Sequence, residues 1–160
     1  MVVNDNFGKL FALFIRAPAT SQFLAQGDFR DSNNVSRTLD IYGGQTWITS
    51  SGATISKAQV GTSPIAPTRQ DFKIGSPFGN SPEDSLVNGS QPTYNSGLGK
   101  IVQATLISPT GGSGTIKEVV KMARWRSSGG ALDFLMSRNT IPDTSFIVGQ
   151  AINIEHGLVI

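Results

Sequence analysis

From Thr115 to Ile160 the chain reads TIKEVVKMARWRSSGGALDFLMSRNTIPDTSFIVGQAINIEHGLVI, and this run narrows the possible folds more than any other. Leu132, Phe134 and Met136 share one parity, as do Ile152, Ile154, His156, Leu158 and Ile160. A period of two broken by Ser/Gly clusters is the pattern of half-buried strands joined by turns. Ile116 to Arg126 alone fits a helix as well as a strand. The Ser127-Ser-Gly-Gly130 turn that follows, leading at once into another alternating run, favours a strand and a hairpin. Pro142-Asp143 reads as a second turn, and Phe146 to Ile160 as a last long strand with His156 on its apolar face. Ending on such a strand suggests a terminus held in a sheet or an interface.

The rest of the chain agrees with a mostly β fold. Residues 5–16 place Phe7, Leu10, Phe11, Phe14 and Ile15 at helical spacing, with Asn4 or Asp5 as the cap and Pro18 beyond the end. One amphipathic helix is expected there, with Phe11 and Phe14 docking it on a sheet or a partner. Residues 19–37 show no clear period. Short strands are expected at Thr38 to Tyr42, Thr46 to Thr49 and Ile55 to Gly61, and a firmer one at Leu98 to Ser108. Between Gly61 and Gly97 lie Pro64, Pro67, Pro77, Pro82 and Pro92. An irregular stretch of that length suggests an arm along the surface or towards a neighbour, with Phe72 and Phe78 as its contact residues.

At 160 residues the chain suits one β-rich domain, sandwich- or jelly-roll-like, able to bury a core unaided. Charged residues make up 15%, below the roughly 25% of ordinary soluble domains, which suits a surface partly covered by neighbours. With no cysteine and a single histidine, thiolate metal sites, thiol nucleophiles and disulfides are excluded. No Gly-x-Ser-x-Gly elbow frames a serine, and Gly111-Gly-Ser-Gly114 lacks the Lys-Ser/Thr of a phosphate loop. Glu83-Asp84 reads as a solvated turn rather than an acid pair. No catalytic, cofactor or metal residue is therefore assigned. The apolar run from Leu10 to Ile15 is too short for a membrane span or a signal core, so a soluble chain is expected.

A net charge of +2 without consecutive basic residues gives little grip on a phosphate backbone. Lys117, Lys121, Arg124, Arg126 and Arg138 surround Trp125 on the hairpin, a pattern that could stack on single-stranded nucleic acid. Glu118 and Asp133 interrupt it, and Arg and Trp also anchor protein interfaces, so protein contact through Arg124, Trp125 and Arg126 is favoured. Tyr42 and Trp47 offer a weak aromatic platform for a sugar.

Four pieces recur in a familiar order: Val60 to Thr68 (VGTSPIAPT) with Asp71 and Gly75; Ile116-Lys-Glu-Val119; Leu135-Met-Ser-Arg138; and Val148-Gly-Gln-Ala-Ile152. Together they resemble the V-G-T-G, V-x-E-V, L-L-A-R-D and closing V-x-x-G-x-x-I segments of a family of small tailed-bacteriophage virion structural proteins. Ser63 stands where that family has its second Gly, Val120-Lys121 where it has Gly-Leu, and Asn139 where it has Asp. The resemblance implies a virion component, with copies of itself, the major capsid protein or tail components as partners. A head decoration (cement) protein is the leading expectation; a tail- or neck-associated adaptor, or a receptor- or glycan-binding fibre module, is the alternative.

Overall fold

The computed structural model describes residues 2–9, 23–42, 54–79, 86–88, 93–127 and 130–159. Its strands are β1 (Val2–Val3), β2 (Phe23–Arg30), β3 (Ser36–Tyr42), β4 (Thr54–Gly61), β5 (Leu86–Asn88), β6 (Thr93–Asn95), β7 (Lys100–Ile107), β8 (Gly114–Ser127), β9 (Gly130–Phe146) and β10 (Ile152–Val159). All pair antiparallel, in sheets ordered β1-β9-β8-β4-β5, β10-β7-β6 and β2-β3. The fold is mostly β, as the alternating runs predict. Residues 5–9 are helical, entered through Asn4, whose Oδ1 accepts the Asn6 N–H at 2.9 Å. The expected continuation to residue 16, with Phe11 and Phe14, lies outside the described residues, as do Trp47 and Glu83-Asp84.

Ile116 to Arg126 is strand, paired along its length with β9 across the predicted turn. Two neighbouring expectations fail. Pro142-Asp143 is not a turn but part of β9. Glu118 faces Thr140 and Ile116 faces Thr144, so Ile141, Pro142 and Asp143 together oppose Lys117 in a bulge. A bulge breaks the ladder locally, so a proline with no N–H is tolerated there. β9 ends at Phe146, and a turn at 147–150, with Gly149 at φ 90°, precedes β10. Residues 19–37, whose sequence shows no clear period, contain β2 and the start of β3.

Among the described residues two apolar clusters lie behind these ladders, one on each face of the large sheet. Ala58, Val60, Phe78, Ile107, Ile116, Val119, Phe146 and Ile154 fill the space between the large sheet and the β10-β7 pair. Phe78 meets Phe146 edge-on at 5.5 Å. On the opposite face Ile74, from the loop after β4, packs on Val120, Met122 and Leu135. β4 alternates weakly because both its faces are covered: Ala58 and Val60 are fully buried, and Gln59 on the other side is buried as well. The two sheets are staggered. β7 packs on β4 and β5, and β10 lies beside β7 on the side away from β6. β10 therefore lies towards β8 and β9, and residues of all three strands line a common cleft.

Candidate functional site

A second bulge on β9 shapes the site. Lys121 faces Ser137 and Met122 faces Leu135, which leaves Met136 unmatched, and its carbonyl accepts the Asn4 N–H at 2.9 Å. Beyond it, Arg138 projects to the face covered by residues 62–78, in the same direction as Glu118 on β8. Glu118 is completely buried and Arg138 is 5% exposed. Burying charge is costly unless it is paired and fully hydrogen-bonded, and here it is. Arg138 Nε donates to Glu118 Oε2 at 2.8 Å, and its Nη1 donates to Asp71 Oδ2 at 2.8 Å. Its Nη2 reaches the Ile65 carbonyl at 3.1 Å and Ser63 Oγ at 3.3 Å. Glu118 also accepts backbone N–H groups of Ser63 (3.2 Å), Gly75 (3.1 Å) and Ser76 (2.8 Å).

Two glycines let the loop come this close. A Cβ on Gly61 would stand 2.3 Å from the Ser76 carbonyl oxygen and 2.6 Å from Glu118 Oε1; one on Gly75 would stand 2.5 Å from Arg138 Nη2. Asp71 completes the node. Burial works to raise its pKa, but the Thr68 N–H, Arg138 and the Thr68 hydroxyl outweigh it and hold the carboxyl below its ordinary 3.8. For Arg138, burial is likewise outweighed by Asp71 and Glu118, and its pKa is raised. Asn4 Nδ2 donates to the Asp71 carbonyl, and Arg69 exchanges contacts with Asp5, so the same loop also holds the start of the helix.

Another feature is a cleft of about 570 Å³ where β9 runs past β10. Val119, Ile141, Ile152 and Ile154 provide apolar lining, and Asn139, Thr144 and Asn153 provide polar lining. Lys100 and Glu155, paired at 3.2 Å, line it as well. Among the described residues β7 is the only strand that pairs with β10, so the edge of β10 beside this cleft is open.

The contact residues expected from sequence that the structure describes, Arg124, Phe72 and Phe78, are not brought together at one site. Arg124 makes a two-pronged ion pair with Asp133 on the neighbouring strand, Nε to Oδ1 at 2.7 Å and Nη2 to Oδ2 at 2.8 Å. Its guanidinium is thus engaged within the chain. Trp125 and Arg126 occupy β8 positions opposite Leu132 and Ala131, and their side chains lie outside the described residues, as does that of His156. Phe72 is half-buried, with the Arg30 and Lys73 cations 5.7 and 5.8 Å from its ring centre. Phe78, expected on a contact arm, is 4% exposed and belongs to this chain's own core. Lys121, read as part of a basic patch, instead points towards the core between the sheets; burial lowers its pKa to about 8, and its Nζ has no hydrogen-bond partner.

Sequence reasoning assigned no role to the Glu118–Arg138–Asp71 node, although all three residues stand in the quoted motif segments. Among the described residues no cluster of three or more His, Asp or Glu side chains is placed to hold a metal, and no helix is long and apolar enough to cross a membrane. No protein-family model, curated protein or solved structure matches the chain.

Proposed function

We propose that this chain is a structural subunit of a bacteriophage particle, acting through contacts with copies of itself and with other particle proteins, foremost as a decoration subunit on the head shell. One observation carries the reading. Gly61, Asp71, Gly75, Glu118 and Arg138 come from three of the separate segments that resemble the virion family, and they converge on one buried node. Side chains so far apart in sequence meet there because the loop, β8 and β9 are built around each other, which is what a shared fold would require of those segments. Open strand edges and exposed apolar side chains, Leu106, Ile147 and Val148 among them, add surface suited to neighbours. The role is mechanical, with weak contacts multiplied by symmetry, and it assigns the chain no chemical step. Co-sedimentation of the purified protein with undecorated phage heads tests it. Saturable binding at a fixed copy number per head is expected; no binding at micromolar protein would overturn the decoration role, and labelling of tails instead would move the subunit there.

A further inference from the structure

The stagger between the sheets has a counterpart at the opposite edge. β6, at the other end of the small sheet from β10, lies beyond β7, and all three of its residues are exposed. Tyr94 on β6 is 64% exposed, and Leu98, in the turn just after it, 59%. Such large apolar groups on an open strand edge are an invitation to pair. One edge of the molecule thus offers a strand with an aromatic side chain and, among the described residues, no strand paired to its outer side. The other offers, among the described residues, an open strand edge and beside it a cleft floored by Ile141 of β9 and Val119 of β8.

We propose that these two edges are complementary halves of a lap joint between copies of the chain: β6 of one copy adds to the open edge of β10 in the next, and Tyr94 seats in the cleft over Val119 and Ile141. The added strand would sit about 4.8 Å from β10, above the part of β9 that no described strand covers. Backbone N–H and C=O groups on both edges gain partners, and Ile141 in the cleft gains a cover. Antiparallel self-pairing of β10 across a two-fold axis is blocked, because the projecting β9 strands of both copies would need the space under the merged sheet. The contact is therefore head to tail, joining two different surfaces, so copies add in series until the rotation closes a ring. The joint deepens the particle reading and rests on it for the setting in which copies are held close, but it is tested on purified protein alone.

The chain has no cysteine, so a cross-link can be placed freely. Asn95 on β6 and Asn153 on β10 are both exposed. Under mild oxidation the double variant Asn95→Cys/Asn153→Cys is expected to give a ladder of dimers, trimers and larger species. An equal mixture of the two single variants is expected to give one dimer that contains both, with little of either homodimer. Tyr94→Asp or Asn139→Arg, added to the double variant and checked by circular dichroism for retained β structure, is expected to reduce the ladder at least tenfold. Homodimers of either single variant, absence of a ladder, or a ladder indifferent to both added substitutions would overturn the joint. In a cysteine-free background, sedimentation equilibrium should show mass rising with concentration and lose that rise with Tyr94→Asp; a constant monomer mass would also count against it. A ladder from a protein that binds neither heads nor tails would defeat the particle reading and leave the joint standing.

Discussion

Glu118 has no exposed surface, yet its two oxygens satisfy three backbone N–H groups and one guanidinium. Removing it strands all four donors at once. Glu118→Ala is expected to cost about 3–5 kcal/mol, the range for breaking one side of a buried pair. Urea unfolding should read this as a lower midpoint, and a loss below about 1 kcal/mol would mean that water replaces the carboxylate. Lys121 is the opposite case, a buried amine with no partner. Its pKa, brought down by burial from 10.5 to about 8, implies that between those values the unfolded chain binds more protons than the folded one. Stability contributed by this residue should therefore rise with pH across that interval. Lys121→Met is expected to raise the melting temperature at pH 7 and to flatten the rise between pH 8 and 10.5; unchanged slopes in paired melts would refute the assignment.

At the scale of elements, Asn6 links the helix start to two strands. Its amide accepts the Arg30 N–H at 2.9 Å and donates to the Arg30 carbonyl at 2.8 Å and the Leu135 carbonyl at 3.2 Å, so a side chain takes the place of a neighbouring strand. Asn6→Ala should cost about 1–3 kcal/mol and expose the Arg30 amide to faster hydrogen exchange. Unaltered exchange at Arg30 would show that another group had taken over the bond. The main hairpin was legible because Leu132, Phe134 and Met136 alternate and a Ser/Gly cluster precedes them. β2 was not: in Phe23–Arg30 the alternation is interrupted by Gln26 and Gly27 and shifted by an irregularity between Phe23 and Ala25. Pro142-Asp143 carries turn chemistry but is used as a bulge, which local composition cannot distinguish. Phe78 looked like part of an arm because prolines and glycines surround it, and nothing local reveals that Phe146 closes over it.

For the molecule as a whole, the node was hidden for a different reason. Ser63, Asp71, Glu118 and Arg138 each resemble ordinary surface residues, and only the tertiary fold reveals that they are partners. The sheet stagger is equally silent in the sequence, since it depends on which strands stack rather than on any one strand. The node also sets an order of assembly. Glu118 and Arg138 are 20 positions apart and are brought together by the hairpin itself, whereas Arg138 must wait for Asp71 across 67 positions and for Ser63 across 75. Closing the longer loops costs more chain entropy before any contact forms. The hairpin should therefore zip first, with residues 62–78 folding down onto a waiting pair of charges. Pulse-labelled hydrogen exchange during refolding should find the β8–β9 amides protected before those of Gly75 and Ser76; the reverse order would show the loop to be the nucleus. A latch that engages last is also the first to be released, so brief openings of the native chain are expected to begin at Ser63 to Ser76 while both sheets stay closed.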